Sequence, residues 1–503
     1  MSAKHGDPPR GLMSTARSPL FDGRFGRLFR SLPPAAFGAS EAENIANLTR
    51  LGAAMSSDAD PADPKDGKDE EESGIPALYT YLGQFIDHDL TFDPASSLQK
   101  QNDPDALVDF RSPAFDLDNV YGRGPSDQPY LYDGGNAFLL GEPIHGGTDP
   151  QAKDLPRNSA QVRRALIGDP RNDENALVSQ LQGLFLRFHN RILADNQGIS
   201  FENAQMLMRF YYQYVILHDF LPRVIHSSVL DQLKTQGRYD RGKLAFFHPR
   251  QASFMPVEFS AAAYRLGHSM VRPGYQLNDE VLLPIFPDPP RLPEGLTGFR
   301  ALNPAWGLDW GRFIDIDIRN YDGSAADQSK RLQFAYRLDT SLVNPLSKLP
   351  QSVVSDPPPS LAARNLLRGW RLGLPSGQRV AHRMGIAPLP DESILIGKAV
   401  DNPNPPLPSI LTVSPVFRNN CPLWTYVLTE AIQHKEPVKI PVRENVTIST
   451  PRLGPVGGRI VVEVFLGLMF NDNHSLLTLQ PNWQPPTGPQ YTLKDFVRYA
   501  LGG

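Results

Sequence analysis

The chain has 503 residues, which is enough for several domains or for one large domain with a sizeable buried core. Its 50 Lys and Arg against 54 Asp and Glu give a formal charge of -4, which argues against a nucleic-acid-binding surface and a polybasic membrane patch and favours a small-molecule partner. The single cysteine, Cys421, excludes an intrachain disulfide framework and suits a reducing compartment.

The first residues are polar and lack the apolar core of a secretory signal. The longest near-apolar run, residues 460–470, contains Glu463 and is well short of the roughly 20 residues that cross a bilayer. We therefore expect a cytoplasmic protein without a membrane span. Residues 1–74, which end in the acidic run DADPADPKDGKDEEESG, are predicted to form a flexible N-terminal arm, and residues 75–503 to form the main domain.

Segments with apolar residues at helix-like spacing follow the arm, whereas alternating strand patterns are scarce. The predicted helical segments are 76–90, 174–196, 201–225, 259–271, 360–370, 422–433 and 458–470. The 49 prolines, close to twice the average usage of about 5%, cluster between these segments in runs such as PIFPDPPRLPEG and SDPPPS. The sequence predicts a mainly α-helical domain with long Pro-rich loops.

The segment 76–90 suits an amphipathic helix that begins with a proline. Within it Gln84, Asp87 and His88 are three or four positions apart, so their side chains share one strip of the helix, and Asp89 points about 100° away. Buried amide, carboxylate and imidazole groups need partners, which a bound cofactor could supply. For a single histidine, an exposed helix end is the more common explanation.

Two further stretches contain polar and charged residues at a spacing that suits a metal site or a catalytic site. FRSPAFDLDNVYG presents Ser112, Asp116 and Asp118, oxygen donors that suit a hard cation such as calcium, although for this pattern alone a solvated loop is the preferred explanation. In IGDPRNDENALVSQ a turn precedes a helix, and Arg171 and Glu174 are three apart and can face one cavity. A capping role for Glu174 and a surface position for Arg171 are the alternatives.

The segment 259–271, FSAAAYRLGHSMV, places small residues ahead of His268 and leaves room for a flat ligand close to the backbone. A histidine in such a helix is more often a core residue with satisfied hydrogen bonds. The blocks together, however, resemble those of the animal-type haem peroxidases (the peroxidase–cyclooxygenase superfamily, with myeloperoxidase-like enzymes), in the family's order and over about residues 75–480.

The resemblance rests on LGQFIDHDLTFDP, on the loop that ends in V-Y-G, on an arginine three residues before a glutamate with F-H-N-R downstream, and on R-L-G-H followed by N-x-x-R-G. RLDTSLVNPLSKLP and LGPVGGRIVVEVFLGLMFNDNHSL resemble the bacterial branch of the family. The resemblance implies a single large helical haem-peroxidase domain that binds b-type haem and calcium.

The site residues follow from this resemblance. The implied distal acid–base residue, its cationic partner and a halide-side glutamine are His88, Arg171 and Gln84. The implied ester-forming carboxylates, proximal iron ligand, acceptor for its second nitrogen and propionate-binding arginines are Asp87, Glu174, His268, Asn365, Arg265 and Arg368. The implied calcium ligands are Asp89, Ser112, the carbonyl of Ala114, Asp116 and Asp118.

Two positions depart from the pattern of the mammalian enzymes. Asp118 stands where a hydroxyl residue is usual, and a third carboxylate should strengthen calcium binding. Asn175 stands where myeloperoxidase has the methionine that bonds a haem vinyl group. We therefore expect at most two ester links and no sulfonium link, which argues against efficient chloride oxidation.

The implied function is the reduction of hydrogen peroxide and the oxidation of small aromatic donors or halides through a high-valent iron-oxo haem. A fatty-acid dioxygenase of the same superfamily is the nearest alternative, but the chain has no tyrosine block of the Y-H-W-H type. A haem-binding protein without turnover is the second alternative, and the pairing of His88 with Arg171 argues against it.

Overall fold

Helices account for most of the regular structure in the computed structural model, which describes residues 23–57, 70–92, 98, 100–249, 253–290, 292–321, 330–354 and 356–503. In chain order the α-helices of these residues are α1 (Glu41–Ala54), α2 (Leu78–Leu90), α3 (Asp118–Tyr121), α4 (Ala176–Asp195), α5 (Phe201–Val215), α6 (Leu221–Val224), α7 (Ser227–Asp231), α8 (Val257–Ser260), α9 (Gly267–Met270), α10 (Leu361–Arg371), α11 (Gly377–Arg383), α12 (Leu423–Gln433), α13 (Pro455–Asn471), α14 (Leu476–Leu479) and α15 (Leu493–Leu501). The predicted mainly α-helical fold is confirmed. Each helix in these ranges is too short or too polar to cross a membrane.

Strands in the described part of the chain are short and pair two by two. They are β1 (Phe25–Gly26), β2 (Glu72–Pro76), β3 (Lys234–Thr235), β4 (Arg238–Tyr239), β5 (Met255–Pro256), β6 (Gly274–Gln276), β7 (Leu282–Pro284), β8 (Phe334–Tyr336), β9 (Lys435–Lys439) and β10 (Thr447–Pro451). The β1–β5 pair is parallel, and the pairs β2–β8, β3–β4, β6–β7 and β9–β10 are antiparallel. Because β2 leads directly into α2, its pairing with β8 fixes the start of that helix.

An aromatic seam joins α2, α4 and α15. The Phe85 ring on α2 stacks on Phe185 of α4 with centroids 4.2 Å apart, and Phe188, one turn further along α4, stacks on Phe496 of α15 at 4.0 Å. All four rings are almost completely buried. Aromatic pairs of this kind contribute beyond their buried area, so the seam holds α2 firmly against α4.

A buried ion cluster ties β2 to the chain that follows α9. Glu72 accepts hydrogen bonds from Arg272 Nη1 at 2.8 Å and from Arg331 Nη1 at 2.7 Å, and all three side chains are at most 1% exposed. Charges this deeply buried are stable only when paired. The cluster therefore fixes the start of α2 relative to the end of α9.

The segment 259–271, predicted as one helix, is broken in the structure. Helix α8 ends at Ser260, a 3₁₀ turn covers Ala263–Leu266, and α9 begins at Gly267. At the break, Arg265 Nε donates to the carbonyl of Ser260 at 3.0 Å, and Trp424 Nε1 donates to the carbonyl of Arg265 at 3.3 Å. These side chains donate hydrogen bonds to carbonyls that would accept backbone N–H groups in a continuous helix. Tertiary contacts therefore override the helical pattern, and the single-helix prediction is wrong here.

Residues 23–57 belong to the predicted N-terminal arm. Within them α1 begins after Ser40, whose hydroxyl accepts the N–H of Glu43, and it buries Leu48 and Leu51 completely. This helix packs against α10. The described part of the arm is therefore folded onto the domain, because its apolar face has a partner there. Residues 1–22 and most of the acidic run, 58–69, lie outside the described residues, and for them the flexible arm stays a prediction.

Candidate active site

One cavity of about 890 Å³ gathers residues that are far apart in sequence. The predicted site residues that line it are Gln84, Asp87, His88, Glu174, Arg265 and His268. Arg171, Asn365 and the half-buried Arg368 are not among its lining residues. The volume lies near the upper end of the range of about 300–1,000 Å³ that is usual for small-molecule sites. The two predicted imidazoles therefore face a common space that is large enough for a sizeable cofactor.

His88 is buried on α2, and one hydrogen bond fixes its ring. Nδ1 lies 2.8 Å from Oδ1 of Asn172, whose Nδ2 donates to Gln182 Oε1 at 2.8 Å. Because Asn172 presents its oxygen, Nδ1 carries the proton and Nε2 is the acceptor. Nε2 has no hydrogen bond with the described residues. Burial, together with the charge of Arg171, lowers the pKa of His88 to about 3, so the ring is neutral at neutral pH.

Arg171 lies in the 3₁₀ turn Pro170–Asp173 ahead of α4 and pairs with Asp169. Its Nη2 lies 2.8 Å from Asp169 Oδ2 and also donates to the carbonyl of His88 at 3.0 Å. The ring of Phe92 covers the guanidinium, with 4.5 Å from its centroid to Cζ. Arg171 and Glu174 therefore do not face the same cavity as expected, because the fully buried Asp169 holds the guanidinium on the backbone side of His88.

Gln84, Glu174 and Asn175 form a hydrogen-bonded group in the cavity wall. Gln84 Nε2 donates to Glu174 Oε1, and Asn175 Nδ2 donates to Gln84 Oε1 at 3.2 Å. Asn175 also caps α4, since its side-chain oxygen accepts the first free N–H groups of the helix. Burial raises the pKa of Glu174 to about 7 and also raises the pKa of Asp87. Both predicted ester-forming carboxyls thus line the cavity in an environment that favours their protonated form.

His268 lines the cavity from α9, and Asn365 on α10 contacts its ring. Asn365 Nδ2 lies 2.8 Å from His268 Nδ1, while Asn365 Oδ1 accepts a hydrogen bond from Arg265 Nη1 at 2.9 Å. The predicted pairing is present, but the amide donates to the ring instead of accepting from it, because an arginine can only donate and occupies the amide oxygen. The proton of the neutral ring is then on Nε2. Burial, followed by the Arg265 charge, lowers the pKa of His268 to about 3.

The predicted calcium ligands converge outside the cavity. Asp89 on α2, Asp116 and Asp118 each place one carboxylate oxygen within 4.8 Å of the others, and Ser112 Oγ donates to Asp116 Oδ2 at 2.8 Å. Asp89 Oδ1 is buried and has no hydrogen-bond partner among the described residues. Burial and the neighbouring carboxylates raise the pKa of Asp89 well above its ordinary value. A hard cation would supply the missing partner, so these oxygen donors fit calcium. Ala114 lies in the same loop, between Ser112 and Asp116.

Arg111, which the sequence pattern did not single out, connects this carboxylate cluster to Arg171. Arg111 Nη1 lies 3.4 Å from Asp118 Oδ1, and its Nε lies 2.8 Å from the same Asp169 carboxylate that holds Arg171. Although burial opposes ionisation, the hydrogen bond from Arg171 and the charges of Arg171 and Arg111 keep the pKa of Asp169 below its ordinary value. Asp169 is therefore ionised and forms ion pairs with both arginines.

The sequence model of the family described as "Animal haem peroxidase" matches residues 97–388. The chain belongs to the animal haem peroxidase family. The matched part contains the loop with Ser112, Asp116 and Asp118 as well as Arg171, Glu174, His268 and Asn365, and it begins after the helix that carries His88. The sequence resemblance to this family is thus confirmed.

Curated members of the animal haem peroxidase family are similar to parts of the chain. Eosinophil peroxidase of Mus musculus is 30% identical over 149 residues, which is 28% of this chain and 19% of that protein. Thyroid peroxidase of Homo sapiens is 29% identical over 218 residues, 42% of this chain and 21% of that protein. Human myeloperoxidase is 25% identical over 267 residues, which is 48% of this chain and 33% of that protein. The chain thus spans about a fifth to a third of the length of these relatives.

Solved structures share the fold over most of the chain. Peroxidase A from Dictyostelium discoideum superposes with a TM-score of 0.57 at 16% identity and covers 91% of this chain and 89% of its own. A fatty acid alpha-dioxygenase from Oryza sativa superposes with a TM-score of 0.52 at 14% identity. The superposition covers 93% of this chain and 78% of that structure. At these identities the likeness concerns the fold alone.

The cavity suits the haem that an animal haem peroxidase binds. Both imidazoles line it, much of its wall is apolar, and the carboxyls of Asp87 and Glu174 lie in that wall. One feature does not match: an imidazole that ligates iron through Nε2 carries its proton on Nδ1 and needs an acceptor there. Ligation by His268 therefore requires the opposite orientation of the Asn365 amide, with its oxygen released from Arg265.

Proposed function

We propose that the chain is a haem-dependent peroxidase that reduces hydrogen peroxide and oxidises a small aromatic donor or a halide. The observation that carries this proposal is a neutral His88 whose Nε2 has no hydrogen bond with the described residues, on a cavity that it shares with His268. Membership in the animal haem peroxidase family supports it. Haem, when bound, supplies the iron redox chemistry that takes oxidising equivalents from peroxide and passes them to the donor.

The role of His88 follows from its protonation state. Nε2 accepts a proton from hydrogen peroxide and returns it to the departing oxygen, and the hydrogen bond between Nδ1 and Asn172 keeps the ring in the required tautomer throughout. General acid–base catalysis of this kind contributes about 10² to 10⁴ in rate. Because the pKa of His88 is about 3, the ring is ready to accept the proton at any pH at which the protein is expected to work.

Arg171 acts in this proposal from behind His88. Its guanidinium donates to the carbonyl of His88 and is itself held by Asp169, so it fixes the backbone that positions the imidazole. Its positive charge also lowers the pKa of His88. Because Arg171 does not line the cavity, in this proposal it acts on peroxide cleavage through His88 and not by contact with peroxide.

We propose further that Asp87 and Glu174 form ester links to haem and that calcium binds at Asp89, Ser112, Ala114, Asp116 and Asp118. The two cavity-lining carboxyls support the first part, and the unpaired Asp89 oxygen among three carboxylates supports the second. Gln84, hydrogen-bonded to Glu174, lies in the cavity wall where it can contact a halide or peroxide.

Stopped-flow mixing of the purified holoprotein with hydrogen peroxide tests the function. We expect a rapid change in the haem spectrum followed by donor oxidation, a loss of the fast phase in His88→Leu, and a loss of normal haem binding in His268→Ala. Val416→Ala, a substitution outside the cavity, serves as a matched control. A holoprotein whose spectrum does not respond to peroxide is not a peroxidase.

Acid–acetone extraction tests the ester links. Haem should stay with the wild-type protein and become extractable in the double variant Asp87→Asn/Glu174→Gln. Oxygen uptake with linoleate tests the alternative of a fatty-acid dioxygenase, which the fold alone does not separate from a peroxidase. Uptake at a rate comparable to peroxide-dependent donor oxidation would favour the dioxygenase.

A further inference from the structure

Three exposed apolar side chains line the cavity. Among the described residues, seven large hydrophobic side chains are exposed, and three of them, Val162 (55%), Phe299 (40%) and Val353 (48%), line this cavity. Single exposed apolar residues are common on protein surfaces and need no explanation. Three at one cavity entrance mark a surface that binds an apolar group. We call Val162, Arg164, Phe299, Arg300 and Val353 the mouth cluster.

Phe299 is held in an unfavourable backbone conformation that keeps its ring at the entrance. Its φ angle is 56°, in the left-handed region that a bulky side chain seldom adopts. The chain is fixed there because the N–H of Phe299 donates to the carbonyl of Asp173 and its carbonyl accepts Arg164 Nη1 at 2.9 Å. Such strain persists where the surroundings enforce it, and it occurs often at ligand-binding sites.

The mouth cluster also carries two positive charges without a carboxylate partner in the described part of the chain. Arg164 bonds to the carbonyl of Phe299, and its Cζ lies 5.9 Å from that ring. Arg300 Nε lies 3.5 Å from the carbonyl of Thr297, and its Cζ lies 5.3 Å from the ring of Trp306. Both guanidiniums are exposed, line the cavity and keep N–H groups that can bind an anion in a bidentate manner.

We propose that the mouth cluster binds the electron donor as a phenolic carboxylate, with the ring against Phe299 and Val353 and the carboxylate on Arg164 and Arg300. This inference rests on the proposed peroxidase function and names the donor class of the same site. Per turnover, one hydrogen peroxide takes one electron and one proton from each of two phenols, which gives two waters and two phenoxyl radicals. The anionic group stays at the rim, where it remains solvated, and the oxidisable ring points inward.

An aromatic acid fits this cavity better than a long aliphatic one. The volume of about 890 Å³ has to hold a tetrapyrrole between the two histidines, so the space that remains near the mouth suits a single ring. Aromatic rings also pair favourably with the exposed edge of Phe299 and with guanidinium faces.

The test compares 4-hydroxycinnamate with its methyl ester, which has the same ring and no charge. In the wild-type holoprotein we expect kcat/KM for the acid to exceed that for the ester about tenfold, because only the acid can form charge-assisted hydrogen bonds with the two guanidiniums. In Arg164→Gln/Arg300→Gln this preference should vanish through a higher KM for the acid. Arg50→Gln/Arg379→Gln removes the same charge from exposed positions that do not line the cavity and should keep the preference.

Two further measurements separate this inference from the proposed function. Equilibrium dialysis of 4-hydroxycinnamate reports binding without turnover, and the spectral response to peroxide alone reports the peroxidase step. Binding that is lost in the double variant supports the mouth cluster even if peroxide has no effect. Equal kcat/KM values of the wild type for the acid and the ester would overturn the inference. Displacement of the phenolic acid by decanoate at equal concentration would also overturn it, because the mouth cluster would then bind aliphatic acids.

Discussion

Replacing Asn172 by leucine should slow the reaction with hydrogen peroxide while haem stays bound. Asn172 Oδ1 lies 2.8 Å from Nδ1 of His88 and is the only partner of that ring among the described residues. Leucine has a similar volume but no acceptor, so the buried Nδ1–H loses its partner. The ring can then adopt the tautomer with its proton on Nε2, which cannot accept a proton from peroxide.

The structure gives a magnitude for this effect. A buried donor left without a partner costs roughly 1–3 kcal/mol, and if that cost falls on the competent tautomer the bimolecular rate constant drops roughly 5- to 150-fold. Stopped-flow kinetics of the holoprotein at pH 4 to 9 measures this constant. For the wild type we expect no inflection from His88 in this range, because its pKa is about 3 and the ring stays neutral throughout.

Asn172→Asp distinguishes a positioning role from a merely structural one. The carboxylate keeps an acceptor at Nδ1 but favours the imidazolium, so the pKa of His88 should rise and the rate should fall at the acidic end of the pH profile. Val416→Ala, which lies outside the cavity, serves as the control and should retain most of the rate. A wild-type rate in Asn172→Leu, or a flat profile in Asn172→Asp, would refute the assignment of Nε2 as the proton acceptor.

Three other predictions follow from buried polar groups. Glu72→Gln leaves two buried arginines without their charge partner and should lower the free energy of unfolding by about 3–5 kcal/mol in guanidinium titrations, whereas Asp105→Asn, at the exposed ion pair with Arg30, should cost less than about 1 kcal/mol. Burial and the charge of Asp116 raise the pKa of Asp118 to about 7, so calorimetric calcium affinity should rise as pH increases through 7, and a pH-independent affinity would contradict the site. Asn175→Met should cost about 1 kcal/mol in thermal unfolding through loss of the α4 cap, and an unchanged midpoint would show that the cap is not needed.

The helices that carry the site could be predicted because each has its own apolar periodicity. The predicted segments 76–90 and 174–196 correspond to Leu78–Leu90 and Ala176–Asp195, with only the ends displaced. The resemblance to the family, and not the spacing of residues along the chain, led to the prediction that His88 and His268 share one site and that the carboxylates form one cluster. In the structure both histidines line one cavity, and three carboxylates lie together. Spacing within one helix accounts only for the shared strip of Gln84, Asp87 and His88 on α2, because these residues lie about one helical turn apart.

Contacts between distant segments could not be predicted in the same way. Asn172 is separated from His88 by a long stretch of chain, and the sequence contains no periodicity that pairs an amide with that ring. The break near Ala262 depends on Trp424 and on the side chain of Arg265, neither of which alters the apolar pattern of the segment. Arg171 turns away from the cavity for a similar reason, since its position is set by the buried carboxylate of Asp169.

The unusual carboxylate at Asp118 is explained by the charges around it. A third acid at the cluster is tolerated because Arg111 lies 3.4 Å away, and Arg111 in turn shares Asp169 with Arg171, whose Nη2 donates to the carbonyl of His88. Charges alternate in sign along this path, so each group reduces the cost of burying the next. A cation bound at Asp118 would weaken the contact of that carboxylate with Arg111 and leave the arginine to Asp169 and to the carbonyl of Gly168. If calcium binds there as proposed, its presence would change the contacts of Arg111 and, through Asp169 and Arg171, those of the His88 carbonyl, which lies next to Asp89 on the same helix.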